Sequence, residues 1–414
     1  YTPAKRMWLI GDTLLATNMA AAESLLMVYN SARHSKKAAA LAAWLQKGRR
    51  PQGKLLHYLL QNEPFLKAAA PESRIFASGG AWFYEDMNNT NSLAGVLWNS
   101  TTFDGHGHKE INSVSLSAFG HRLYANAGYS GWGSGSDEGF TWNYINRRAL
   151  SASTVLVDYE YGSVFDPSET NDHQQKNGAG ITEGFTTNTL CYALGDSGAA
   201  LPNAVHHRAF VMVPGEQNIP GYFLVLDSVS DGTTMTVVHR PFSCHVTACN
   251  EAEYIWHMEK ANASLAIFLA TPPEKIEWID GVVADRATDT AQETLMFTHA
   301  GHKIKSLLAS YPAKTTAATV LLPFQAASTK PHMVRTETSM QLVYPNFEDW
   351  LLTNSSNYQN ISWSGDMALV RKTAQLCKWF FAQRAQSFCC MGVGFYAEGP
   401  ISLFFNGKTI AFTA

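Results

Sequence analysis

No apolar run in this sequence is long enough to cross a bilayer as a helix. A secretory signal peptide is also missing, and the first residue is Tyr1 rather than Met, so the sequence reads as a processed or truncated product. Basic clusters are scarce. Lys and Arg total 31 against 34 Asp and Glu, and the net charge is −3, which argues against a nucleic-acid or membrane-surface partner. Cysteines are few, and Cys191, Cys244, Cys249, Cys377, Cys389 and Cys390 include no zinc-finger spacing. Cys244 and Cys249 can close a short loop, and Cys377 lies one hairpin from Cys389 and Cys390. Buried free thiols are the competing reading. There is no Gly-x-Ser-x-Gly elbow, phosphate loop or His-Glu-x-x-His pair, and nothing repeats. Paired carboxylates for glycoside hydrolysis are seldom close in sequence; Asp104 and Glu110 are the nearest candidates, and no spacing rule selects them.

Hydrophobic residues make up 46% and charged residues 16%, the balance of a globular chain. With 414 residues, two or three domains are expected. Aromatics are abundant at 12%, which suits both sugar stacking and a large β-sandwich core. Asn-x-Ser/Thr sequons at Asn88, Asn99, Asn262, Asn354 and Asn360 point to a secreted or extracellular protein, periplasmic if bacterial.

The pattern changes once along the chain. Leu15, Met19, Ala22, Leu26 and Tyr29 follow the period of one buried helix face, and Leu41, Trp44 and Leu45 begin a second helix. Leu55–Leu60 forms a third short element. Beyond Pro71 the period is two. Val114, Leu116 and Ala118 alternate with Ser113, Ser115 and Ser117, which predicts a strand with one buried face. Strands are expected to the C-terminus, including Cys389–Tyr396 and a hairpin at Asn406-Gly407. The expected organisation is a helical segment over 1–72, an antiparallel β-sandwich over 73–342 and a smaller β-module over 343–414.

Chemistry concentrates in Asp104-Gly-His106-Gly-His108-Lys-Glu110, at the mouth of the Ile111–Phe119 strand. On an extended backbone His106 and His108 project to one face. Such a pair can bind metal, move a proton or neutralise an acidic substrate, and can equally be two surface histidines. Downstream, Tyr129, Trp132, Trp142, Asn143 and Tyr144 precede Arg147 and Arg148. Two arginines three and four residues past Tyr144 can depress its pKa and hold a carboxylate. The alternative is that Trp142 and Tyr144 cap the sandwich. His206-His207-Arg208 interrupts an apolar strand, and its two histidines must face opposite ways. His239, Arg240 and His245 read as core or surface.

The order of the His-x-His pair, the strand ending at Asn126 and the Ala152-Ser153-Thr154-Val155 strand resembles the heparinase II/III-like polysaccharide lyases, across roughly Arg74 to Ser230. The resemblance implies that the helical segment ends an incomplete α/α toroid. It implies β-elimination on a uronate-containing acidic polysaccharide of alginate or glycosaminoglycan type, with His106 and Tyr144 catalytic. Arg147, Arg148, Trp142 and Asn143 would bind substrate. It also implies a metal held by the second histidine, His108, a downstream Asp and a strand His. Those last two positions are Asn126 and Ala152 here, so a divalent metal would need Asn126, Asp137 or Glu138 instead. A non-catalytic glycan-binding protein that keeps the fold is the alternative function. The remaining toroid would come from an upstream segment or a separate chain.

Overall fold

The computed structural model describes residues 2–4, 8, 10, 35–46, 69–102, 107–128, 149–159, 177–201, 203–258, 262–284, 301–336, 339–353, 357–358 and 360–413. Among these the chain forms four antiparallel sheets and the helix Lys36–Gln46, which contains the expected Leu41, Trp44 and Leu45. The other two expected helices lie outside the described residues. No helix among the described residues is long and apolar enough to cross a membrane.

The sheets stack in layers, and an eight-stranded sheet lies at the centre. Its strands Tyr222–Val229 and His206–Val213 are buried almost without a break rather than at alternate residues. Such burial fits a sheet covered on both faces. Cys191, Ala193, Phe210, Met212, Phe223 and Val225 face one way. They meet a five-stranded meander running from Arg74–Phe76 to His121–Tyr124, and a four-stranded sheet that includes Val155–Val157 and Thr234–His239. Tyr192, Leu194, Val211, Leu224 and Val320 face the other way. They meet Leu342, Leu351, Leu369 and Phe381 of a nine-stranded sheet. That last sheet begins at His332–Arg335, upstream of residue 343.

One buried ion pair ties the nine-stranded sheet to the central one. Arg371 donates Nε–H and Nη2–H to the two oxygens of Asp349, both at 2.7 Å, and Tyr222 of the central sheet donates to Asp349 Oδ2 at 2.9 Å. The guanidinium lies over the Phe347 ring at 4.2 Å, so its face as well as its edge is partnered.

Two expectations change. Ser113–Ala118 is buried along its whole length, serines included, instead of on one face. Trp8 packs on Ala94 and Val96 on the outer side of the same sheet, so that face is also covered. Cys389–Tyr396 is not a single strand: Met391 and Gly392, both at positive φ, turn a hairpin between Cys377–Cys390 and Val393–Phe405. All six cysteines are free thiols, and Asn99 is fully buried, so its sequon is closed to a glycan in the folded state.

The first interlayer core is built on parallel aromatic planes. Phe83 stacks on Phe210 at 5.5 Å, and Phe210 on Phe223 at 5.0 Å. Gly95 lies against them because a Cβ there would sit 2.6 Å from Phe223 Cε1 and 2.8 Å from Phe210 Cζ. Gly95→Ala therefore overpacks a rigid stack and should cost about 1–3 kcal/mol. Urea unfolding measures it, and a midpoint at or above wild type would show that the stack yields.

Candidate active site

The chain reaches the His-x-His strand through a turn in which Ser113 N–H donates to Glu110 O at 3.0 Å and Asn112 adopts φ 58°. Asparagine tolerates this left-handed conformation better than most residues because its short amide can bond locally. Here the amide reaches further. Asn112 Nδ2 donates to His206 O at 3.0 Å and Gly195 O at 3.3 Å, and its Oδ1 accepts from Asn99 Nδ2 at 2.7 Å. Gly195 makes room: a Cβ there would lie 2.2 Å from Asn112 Oδ1.

Below this turn sits a buried charge pair. Arg208 and Asp227 stand directly opposite each other in the central sheet, with exposures of 1% and 0%. Arg208 Nε–H donates to Asp227 Oδ1 at 2.6 Å and Nη2–H to Oδ2 at 3.1 Å. Its Nη1 donates to the carbonyls of Asn112, at 2.7 Å, and Ser153, at 2.5 Å. One guanidinium thus joins the central sheet to the His-x-His turn and to the segment before Val155–Val157. Burial alone would push the Asp227 carboxyl up, but Arg208 and His206 together bring it down to about 2. His206 Nε2 lies 2.7 Å from Asp227 Oδ1, and its Nδ1 faces Asn112 Nδ2 at 3.4 Å. Because the Asp227 carboxylate can only accept, Nε2 carries the proton. Burial lowers the His206 pKa, consistent with this neutral ring.

The three positions that the resemblance assigns to a metal come from adjacent segments. His108 and Glu110 are buried on one, Asn126 on the second, and Ala152 on the third. Asn126 spans all three: Nδ2 donates to Glu110 Oε2 at 2.7 Å and Ser113 Oγ at 3.0 Å, while Oδ1 accepts Ser153 N–H at 3.1 Å. Thr154 Oγ1 adds a bond to Ile111 O at 2.6 Å. The Asn126 amide turns its donor, not its oxygen, toward Glu110, and Ala152 offers only a buried methyl. No cluster of three His, Cys, Asp or Glu side chains occurs among the described residues. These residues do not fit a divalent metal. Asn126 is corrected from a candidate ligand to a structural clamp, and Glu110 is engaged by Asn126.

His106, Asp137, Glu138, Trp142, Asn143, Tyr144, Arg147 and Arg148 lie outside the described residues. His206 and His207 do face opposite ways. His206 joins the network, while His207 sits on the far side of the sheet, 3.5 Å from Asp196. His239 is core, with Nδ1 3.0 Å from the Tyr124 hydroxyl. Sequence reasoning missed Asn99, Asn112 and Asp227. The available signal was Asp227 itself, a carboxylate inside the run Tyr222–Val229, which demands a buried cation.

Arg208→Met should cost about 3–5 kcal/mol, because it strands the Asp227 charge in a dry interior. Adding Asp227→Leu should recover part of that loss in denaturant unfolding; no recovery would mean that the carbonyl bonds, not the charge pair, dominate.

A pH dependence follows from His239, whose pKa burial lowers from 6.5 to about 3. Below pH 6.5 the unfolded chain binds a proton there that the folded chain refuses, so folding stability is full above 6.5 and falls toward 3. The slope is about 1.4 kcal/mol per pH unit for one such group. His239→Gln should remove one group's slope between pH 6.5 and 5; an unchanged slope would assign the protons elsewhere.

A heparinase II/III-like, C-terminal family model matches residues 87–364. No curated protein matches the chain in sequence. Among solved structures, the heparan sulfate lyase HepC of Pedobacter heparinus superposes with a TM-score of 0.60 at 13% identity, over 90% of this chain and 49% of that one. A heparinase III superposes with a TM-score of 0.56 at 12% identity, over 98% of this chain and 50% of that one. The chain therefore spans about half the length of the lyases it matches, and at these identities the likeness establishes the fold. With the family model covering most of the sequence, and the stacked antiparallel sheets matching the β part of those enzymes, the chain belongs to the heparinase II/III-like family.

Proposed function

We propose that the protein is a polysaccharide lyase that cleaves a uronate-containing glycosaminoglycan by β-elimination, outside the cytoplasm. The observation that carries this reading is the family match over residues 87–364, which includes His106-x-His108. The buried Asn112–Arg208–Asp227 network supports it, because it fixes the turn that leads from that motif into its strand. The names of the two similar structures favour a glycosaminoglycan over alginate.

Elimination asks for three services. The uronate carboxylate must be neutralised so that the C5 proton becomes acidic, a base must remove that proton, and an acid must protonate the departing O4. As C5–H breaks, its electron pair forms the C4–C5 double bond and the C4–O4 bond opens. We assign His106 to the carboxylate and the proton path, Tyr144 to acid–base work at C5 and O4, and Arg147 with Arg148 to the substrate's negative charge. Trp142 and Asn143 complete the sugar-binding rim. A helical toroid N-terminal to the sandwich would form the facing wall of the cleft. No step is routed through a metal, because Asn126 and Ala152 do not fit one. His108 is buried and serves the strand mouth.

Incubation with heparan sulfate, chondroitin sulfate, hyaluronan and alginate tests this, read as ultraviolet absorbance of the unsaturated uronate product. A rise is expected with at least one glycosaminoglycan. His106→Ala should then lower turnover by about 100-fold or more with little change in melting temperature. His108→Ala should lose about 1–3 kcal/mol of stability. Silence on every polymer would defeat the lyase reading, and full activity in His106→Ala would move the chemistry elsewhere.

A further inference from the structure

On the reverse face of the central sheet from Arg208 and Asp227 there is a cavity of about 300 Å³ that the lyase chemistry does not use. It lies in the seam between the central and the nine-stranded sheets. Its central-sheet wall sets apolar Leu194, Ala209 and Leu226 beside His207, Asp227 and Ser228, and its opposite wall is polar, formed by Asp366, Gln383 and Arg384. We propose that this cavity binds one neutral, hydroxyl-rich sugar unit.

The polar wall is shaped by a bulge. In the Cys377–Cys390 strand, Ala382 pairs with Leu403 and Ala385 with Ile401, so Gln383 and Arg384 together oppose Ser402 alone. A bulge of this kind re-aims side chains and is common beside binding sites. Arg384 takes φ 47°, an unfavourable conformation for a side chain of its size, and its N–H donates to Ser402 Oγ at 3.1 Å. The turn carrying Asp366 is pressed against the bulge. Asp366 N–H donates to Gln383 O at 3.0 Å, and a Cβ on Gly365 would lie 2.7 Å from Ala385 Cβ. The wall is thus fixed before any ligand arrives.

Gln383 points to a ligand. It is 5% exposed and shares a strand face with Trp379 and Phe381, which pack toward the central sheet, so its side chain is directed into the seam. Its amide offers two donors and an acceptor, and it makes no side-chain hydrogen bond to a described residue. The amide opens onto the cavity, where water or a ligand can meet it. A sugar hydroxyl pair would satisfy donor and acceptor together, while the C–H face of the ring would cover Leu194 and Leu226.

The charges around the cavity select a neutral ligand. Arg384 Nε already lies 3.4 Å from Glu183 Oε1, and Nη1 lies 4.0 Å from Asp366 Oδ2. His207 faces Asp196. An anionic sugar would meet the Asp366 carboxylate on the cavity wall, while the permanent cation there, Arg384, is already engaged by Glu183 and Asp366. Asp366 is partly desolvated, which raises its carboxyl pKa above the ordinary value. The hydroxyls of Ser228, Thr316 and Thr353 on the remaining rim suit hydroxyl partners rather than an anion.

Saturation-transfer NMR on the intact protein tests this with methyl β-D-glucopyranoside and sodium glucuronate as probes. The neutral glycoside should bind at least fivefold more tightly than glucuronate. Gln383→Met should weaken it at least tenfold and Arg384→Gln severalfold. Arg384 is half exposed, so the second variant decides the matter if Gln383→Met fails to fold. No transfer to the glycoside, equal transfer in wild type and the folded variants, or preference for glucuronate would each overturn the proposal. The site does not depend on the lyase reading. A protein that binds the glycoside but leaves every polymer intact would defeat only that reading, and an active lyase that ignores the glycoside would defeat only this one.

Discussion

The fold depends on a single guanidinium placed where water cannot reach it. Arg208 has four polar engagements, two to Asp227 and two to the carbonyls of Asn112 and Ser153. The carboxylate balances its charge, and the carbonyls use donors that would otherwise be buried unpaired. Those carbonyls belong to two segments outside the central sheet. A hydrophobic pair of equal volume would fill the space but would not say where each segment should stop. The ion pair's contribution is therefore to register as much as to stability, in keeping with how weakly buried pairs stabilise against apolar replacements.

A second Arg–Asp pair performs the matching task on the opposite face of the same sheet. Arg371 and Asp349 lie in the outer nine-stranded sheet and reach the central one through the Tyr222 hydroxyl. A central sheet with two apolar faces has little to fix the lateral position of its covering layers, since dispersion and burial are non-directional. One directional polar contact on each face supplies that position. The two pairs differ in reach. Arg208 extends to backbone carbonyls on neighbouring segments, whereas Arg371 turns to ring faces and to the Glu216 carboxylate in the turn before Tyr222–Val229.

Much of this architecture was legible in the sequence. The change of period near Pro71, the antiparallel strands behind it and the order of motifs all carry local signals that survive folding, because side-chain alternation is a property of the strand itself. Layering was not legible. The serines of Ser113–Ala118 look solvent-facing, and their burial involves groups distant in sequence, such as Trp8 and the Asn126 amide. The Met391-Gly392 hairpin was hidden because a methionine at positive φ is no turn signal. Asp227 and Arg208 are nineteen residues apart, and their pairing is set by strand register, which depends on the whole sheet. Of the candidate site, the motif is visible in the sequence, while the scaffold behind it is made of contacts between residues far apart in the chain.

Asn126 and Ala152 show how such a scaffold can replace chemistry with geometry. Where the resemblance implies a metal, three segments would be tied by three ligands around one ion. Here Asn126 touches the same three segments through one amide, giving two hydrogen bonds from Nδ2 and accepting one at Oδ1. An amide is suited to this because donor and acceptor lie in one plane on a short stem, so a single rotamer satisfies both sides. Aspartate in its place would accept the Ser153 amide but face the Glu110 carboxylate with a second negative charge, which only a cation between them would relieve. Asparagine with a neighbouring alanine is thus a coherent substitution set: each residue removes the need that the other would create. The strand mouth that follows His106 in sequence is held by the hydrogen bonds of one buried amide, one of them to the Glu110 carboxylate.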